Sequence, residues 1–354
     1  MDEVFVREGR RRLLYFGGCD YLRLTSDARI QAALTAGLAR YGLNVAASRV
    51  TTGNHPLYTV AERAIARFFG VERSLLCPTG YLAAMTAIEG WRGQFTHALV
   101  NERAHPCLAA GVRLAERPLL CFPHGTTDAL RALLKRLPAA ARPLVVTDGV
   151  FAQDGFIPPL EKYLEMLPRS GWLLVDEAHA AGVLGPRQRG AAEHLGIEDR
   201  RLLRSCTFSK AFGVFGGAVL GAAAAVDEIA GRSQTFAGST PLPLPLVAAL
   251  MKSLRIVRAD TARRRRLAAN THWVKAALVR HGVPTTPGPA PIISVEAQRK
   301  TAAALARRLR AAGIYPSFIR YPGAAATGHF RFAISSEHRP EHLERLVAVL
   351  AAPR

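Results

Sequence analysis

Asp176, in LLVDEAHAAGVLG, and Lys210, in SCTFSKAFGVFGG, lie 34 residues apart, and each ends or follows a short apolar run that reads as a buried strand. A lysine amine can condense with an aldehyde to form a Schiff base, and a carboxylate can keep a pyridine nitrogen protonated so that the ring accepts electrons. These are the two side chains that pyridoxal phosphate (PLP) chemistry asks of a protein. Of the six lysines, Lys210 is the one set in a Ser/Gly-rich, otherwise uncharged strand-to-loop context. Burial strips an amine of the solvation that favours its charged form and makes it a better nucleophile and base. The plain alternative is a strand-end lysine on a sheet edge.

The segment CPTGYLAAM puts Thr79, Gly80 and Tyr81 at a strand-to-helix turn, where free backbone N–H groups and the helix dipole favour a phosphate. His179 follows Asp176 by three residues, close enough to reach a neighbouring oxygen of the same ring. Either feature alone is weak. Gly80, Asp176, His179, Thr207 and Lys210 in this order make a specific pattern.

The elements that must position these residues are those of an α/β domain with a largely parallel sheet. From about residue 60 to 225, the runs SLLC, HALV, LLCF, PLVVTDG, LLVDE, SCTFS and GAVLG alternate with helical patterns such as YTVAERAIARFFG and DALRALLKRLP. Past Ser239 a proline-broken loop leads into a helix, then TAAALARRLRAAG as helix, HFRFAIS as strand and RPEHLERLVAVLAA as helix. The expected division is a short N-terminal segment (1–40), a large cofactor-binding domain (41–238), and a connecting helix with a small α+β domain (239–354).

At 354 residues the chain can bury a sizeable core. No apolar stretch is long enough to cross a membrane, and MDEVFVREGRRR is charged instead of signal-like, so the reading is a soluble, cytoplasmic protein. The five cysteines are scattered with no CxxC, which argues against a metal centre or a disulfide framework. The formal charge of +20 raises the question of nucleic acid, but the arginines are spread along the whole chain, and the Arg263–Arg266 run reads as a solvated helix face. A basic surface also suits capture of a polyanionic thioester.

Taken together, FGGCDYLRLTSD, SRVTTGNHPLY, CPTGYLAAM, NERAHPCL, VVTDGVFAQDGFIPPL, VDEAHAAGVLGPRQRG, TFSKAFGVFGG and HFRFAISSEH resemble, in order, the α-oxoamine synthases of the fold-type I (aspartate aminotransferase-like) PLP-dependent superfamily. The resemblance spans nearly the whole chain. It implies a large mainly parallel-sheet domain plus a small C-terminal α+β domain, and a homodimer with shared active sites. By position, Lys210 would carry PLP as a Schiff base and shuttle protons, Asp176 would pair with the ring nitrogen, and His179 would hydrogen-bond the ring phenolate. His105 would stack on the ring. Thr207 and the backbone at Gly80 and Tyr81 would hold the phosphate, with Ser239 reaching across from the partner subunit, and Arg331 would grip the substrate carboxylate through its bidentate fork.

The implied reaction joins a small amino acid to an acyl thioester with loss of carbon dioxide and thiol. L-alanine with a pimeloyl thioester, on coenzyme A or a carrier protein, is the favoured pair, giving 8-amino-7-oxononanoate for biotin synthesis. The alternatives are glycine with acetyl-CoA, serine with a long acyl chain, or a simple aminotransferase; a basic nucleic-acid binder or pseudo-enzyme is the rival from another class. DEAH followed by small residues argues against an aminotransferase. Four departures bear on substrate choice. Ala152 stands where the family usually has serine, Cys19 for asparagine and Arg23 for glycine, and the N-terminal arm is shorter by roughly a helix.

Overall fold

The computed structural model describes residues 4–297, 299–320 and 328–352. They fall into two compact units. The larger comprises residues 27–151 and 157–259; the smaller comprises the N-terminal residues to 26, the short segment 152–156, and the chain from 260 onward.

In the larger unit seven strands hydrogen-bond in the order Arg73–Cys77, Gly217–Gly221, Leu202–Thr207, Trp172–Asp176, Pro143–Asp148, His97–Asn101 and Leu119–Phe122. From Leu202–Thr207 outward to Leu119–Phe122 all neighbours are parallel, while Gly217–Gly221 is antiparallel to both of its neighbours. Parallel pairs need crossover helices, which cover both faces, so Pro143–Asp148 and Leu202–Thr207 bury every residue and Trp172–Asp176 all but Trp172. Leu144, Val146, Leu174, Leu203 and Val219 pack against Ala83, Ala84, Ala87 and Ile88 of the helix Gly80–Gly90. The alanines let that helix lie close to the sheet. Three adjacent parallel strands end at Asp148, Asp176 and Thr207, so one edge of the sheet collects two acids and a hydroxyl where such folds hold ligands.

The smaller unit has an antiparallel sheet in the order Ile292–Ala297, Gly328–Ala333, Phe318–Ile319, backed by the helices Thr261–Arg280 and Pro340–Ala351. Its core joins Phe16, Phe330, Phe332, Leu278, Leu309, Ile314 and Leu346. The charged amino terminus forms a hairpin, Phe5–Glu8 with Arg11–Leu14, which tucks Leu13 and Leu14 inward and leaves the arginines in water. In the arginine run, Arg266 reaches Glu337 at 2.7 Å and Arg263 lies 3.6 Å from Asp260, both carboxylates of the same unit.

The boundary expected at residue 239 falls elsewhere. The helix Leu244–Ala259 belongs to the larger unit because its buried Leu244, Val247, Leu250 and Leu254 face that unit's core, and Gly37 on the helix Ala28–Tyr41 lets Pro245 come close: a Cβ at Gly37 would lie 2.9 Å from Pro245 Cα. Residues 4–26, expected as part of a separate N-terminal segment, belong with the smaller unit; Leu14 pairs with Ile314 there.

Candidate active site

Asp176 is 5% exposed at the end of its strand, and its Oδ1 accepts the Ala178 N–H at 2.9 Å. Burial pushes its carboxyl up to about 6, opposed by the nearby Lys210 charge and the Ala178 N–H. Glu177, next in the chain, points to the other side and does different work. It is fully buried, accepts the N–H groups of Ala191 and Ala192 at 2.7 and 3.2 Å, and lies 3.8 Å from Arg204. Glu177 therefore pins a backbone turn, and Asp176 is left to face the site.

Lys210 sits in the loop after the strand Leu202–Thr207 and is half-buried, more open than the sequence context suggested. Its charge is near enough to act on Asp176, Asp148, His105 and Cys107. His105 caps the helix Pro106–Leu114: its Nδ1 accepts the Cys107 N–H at 3.4 Å and lies 2.9 Å from Cys107 Sγ. Burial first, and Lys210 second, lower the His105 pKa, so the ring is neutral near pH 7. With Nδ1 accepting, the proton is assigned to Nε2. His179 is buried in the turn three residues past Asp176.

Thr79 caps the helix Gly80–Gly90, its Oγ1 accepting the Leu82 N–H at 3.1 Å, and Thr79 O takes the Ala83 N–H. The N–H groups of Gly80 and Tyr81 precede the first intrahelical bonds and so face outward from the helix start. Thr207 borders this turn, with Oγ1 2.8 Å from Ser209 Oγ. The approach is tight, for a Cβ on Gly80 would lie 2.5 Å from Thr207 Cβ. Gly80→Ala is therefore expected to lower stability by about 1–3 kcal/mol and to weaken PLP binding. Urea unfolding and PLP titration check this; a variant unchanged in both would show that the turn has room to spare.

Arg331, on the strand Gly328–Ala333 of the smaller unit, has one guanidinium nitrogen 3.4 Å from Ala152 O and another 3.6 Å from Cys19 Sγ. Its Nε is buried without an acceptor among the described residues. A carbonyl at the limit of hydrogen bonding and a thiol are poor partners for a cation, so the fork keeps donors for a carboxylate. Arg23 takes φ 52°, the left-handed region that a glycine adopts without cost. Ser239 turns its hydroxyl back onto Thr235 O at 2.5 Å.

The larger unit thus brings together Lys210, Asp176 and His105, and sets Thr207 beside Gly80. Arg331 is carried by the smaller unit. Two residues of the cluster were not singled out in the sequence. Asp148 had a signal, since the apolar run PLVVTD ends in an aspartate just as LLVD does; Cys107 had none.

The chain matches the family of aminotransferases of class I and II over residues 13–350. It is 34% identical over 343 residues to a putative 8-amino-7-oxononanoate synthase of Geobacillus kaustophilus, covering 96% of this chain and 88% of that one. The serine palmitoyltransferase of Sphingomonas wittichii superposes with a TM-score of 0.92 at 27% identity, over 99% of this chain and 89% of the other. That of S. paucimobilis, solved with bound PLP and myriocin, gives 0.90 at 26% identity, over 97% and 87%. The chain belongs to the α-oxoamine synthases. Its fold is that of the fold-type I PLP-dependent transferases, and α-oxoamine synthases are acyltransferases that use PLP.

The residues present fit that cofactor. PLP needs an amine, a buried acid for its ring nitrogen and a cradle of N–H and hydroxyl donors for its phosphate. This α-oxoamine synthase has Lys210 facing Asp176, and a helix start so close to Thr207 that only glycine fits at position 80. Among the described residues no cluster suited to a metal ion occurs, and no helix is long and apolar enough to cross a membrane.

Proposed function

We propose that this α-oxoamine synthase condenses L-alanine with a pimeloyl thioester, releasing carbon dioxide and thiol and giving 8-amino-7-oxononanoate. The observation that carries the reading is the cluster at the sheet edge, in which one half-buried lysine faces a buried aspartate and a neutral histidine. The choice of substrates is supported by the likeness to the putative 8-amino-7-oxononanoate synthase of Geobacillus kaustophilus.

When bound, PLP supplies an electron-poor ring that spreads the negative charge developing at the amino acid's α carbon. Lys210 would hold the cofactor covalently through its amine and, once freed, would carry the proton at the α carbon. Asp176 holds the proton on the ring nitrogen. His105, neutral and with its Nδ1 engaged by Cys107 N–H, offers an uncharged ring face for stacking, and His179 holds the phenolate oxygen. The N–H groups of Gly80 and Tyr81 and the Thr207 hydroxyl bind the phosphate. Ser239 of the partner subunit completes the phosphate site in a homodimer. Leu43, Val50, Tyr81 and Phe215, all at least half exposed on the larger unit, are the apolar residues such a dimer covers. The compartment is the cytoplasm.

Arg331 binds the amino-acid carboxylate. Replacing its planar fork by an ammonium loses one of two parallel hydrogen bonds, so Arg331→Lys is expected to raise KM for alanine about tenfold and KM for the thioester little. Steady-state kinetics with each substrate varied in turn check this. Equal rises for both would move the residue away from the carboxylate.

The likeness to serine palmitoyltransferases supports a second pairing, serine with a long acyl chain. A matrix of amino acids against acyl thioesters, read for thiol and carbon dioxide together, separates the two. L-alanine with pimeloyl thioester is expected to release both in equal amounts. Thiol without carbon dioxide would mean hydrolysis, and transfer of the amino group to an added keto acid at a comparable rate would mean an aminotransferase.

A further inference from the structure

Asp148 and Asp176 are register partners at the ends of adjacent parallel strands, so their side chains leave the sheet on the same face, about 4.8 Å apart at the backbone. Both are almost fully buried, at 4% and 5% exposure. Asp148 Oδ2 accepts the backbone N–H of His105 at 2.9 Å, which ties the start of the helix Pro106–Leu114 to the sheet edge. Lys210 from the loop after the next strand faces both acids, and Cys107, with Sγ 4.0 Å from Asp176 Oδ2, faces them from the helix. Two carboxylates share one cation in a site with little water. Both cannot carry charge cheaply, so one of the pair holds its proton to higher pH than an ordinary carboxylate does.

Which of the two holds it follows from their partners. Asp176 has the Ala178 N–H stabilising its charge at 2.9 Å, in addition to Lys210. Asp148 has the His105 N–H and Lys210, against burial and the charge of Asp176, and its carboxyl is driven well above the usual carboxylate range. We propose that Asp148 is a positioning residue, a neutral acid that clamps the His105 backbone and holds the proton of the pair so that Asp176 remains the charged member. It touches neither cofactor nor substrate. It acts by fixing where His105 sits and by keeping a second negative charge away from Asp176. The proposal rests on the reading of Asp176 and His105 as cofactor contacts.

Asn is the uncharged shape-mimic of a protonated Asp, able to accept the His105 N–H with its oxygen. The sign of the pH effect is fixed by the direction of the shift. An acid whose pKa is raised on folding keeps its proton while the unfolded chain has lost its own, so stability falls as pH rises from about 4 towards the folded value. Removing that acid removes its share of the fall. The experiment is urea unfolding of cofactor-free wild type, Asp148→Asn and Asp148→Ala between pH 5 and 8, so it stands apart from the assignment of Lys210. Relative to wild type, Asp148→Asn is expected to gain in urea midpoint as pH rises. In the loaded enzymes, Asp148→Ala is expected to lose roughly 10²-fold in kcat through a misplaced His105, with Asn restoring most of the loss. An Asn variant that loses ground to wild type as pH rises would show that Asp148 is ionised and paired with Lys210, and would overturn the proposal. So would an Asn variant no better than Ala in kcat.

Discussion

Lys210→Ala protein is expected to be colourless after incubation with PLP and inactive in thiol release. Loss of a positioned proton carrier alone lowers rates on the order of 10² to 10⁴-fold, and here the same substitution also removes the covalent tether. The fold should survive, because Lys210 is half-buried in a loop and no strand or helix depends on it. Its removal does leave Asp148 and Asp176 without the cation they share. The variant should therefore lose stability relative to wild type as pH rises above about 6, where Asp176 ionises. Absorbance, turnover and urea unfolding read the three effects separately. A yellow, active variant would remove Lys210 from the chemistry.

Asp176→Asn is expected to bind PLP and stay nearly inert in the proton step. A carboxylate about 4 Å from a protonated ring nitrogen contributes about 4 kcal/mol at an effective dielectric of about 20, which corresponds to roughly 10³-fold in rate when the charge is lost. Asn keeps the shape and cannot hold the ring nitrogen protonated. The measurement is exchange of the α proton of L-alanine in deuterated water, which needs no thioester and isolates this step. Exchange at the wild-type rate would show that Asp176 does not have this role.

The sheet was legible because its central strands are buried on both faces: runs such as PLVVTD and LLVD have no polar side to disguise them. The hairpin Phe5–Leu14 was not, since its arginines alternate with few apolar residues and read as a charged arm. The division into units was also misplaced, because the helix Leu244–Ala259 follows a proline-broken loop that looks like a linker, whereas its partner, the helix Ala28–Tyr41, lies some 200 residues earlier in sequence. In the site, Lys210 and Asp176 stood out by their local context alone. His105 and Arg331 did not, and only resemblance to a family singled them out. Asp148 was missed because its meaning lies in a register pairing with Asp176 across 28 residues of chain, and in a hydrogen bond to the backbone of His105, neither of which residue types alone express.

Lys210 is the residue on which cofactor attachment, and with it the whole reaction, turns. Borohydride reduction of the PLP-loaded wild-type protein fixes that bond permanently, and digestion followed by peptide mapping then locates it among the six lysines. The predicted result is one modified peptide, containing Lys210 within SCTFSKAFGVFGG; label on any other lysine, or none at all in a protein that turns over, would contradict it.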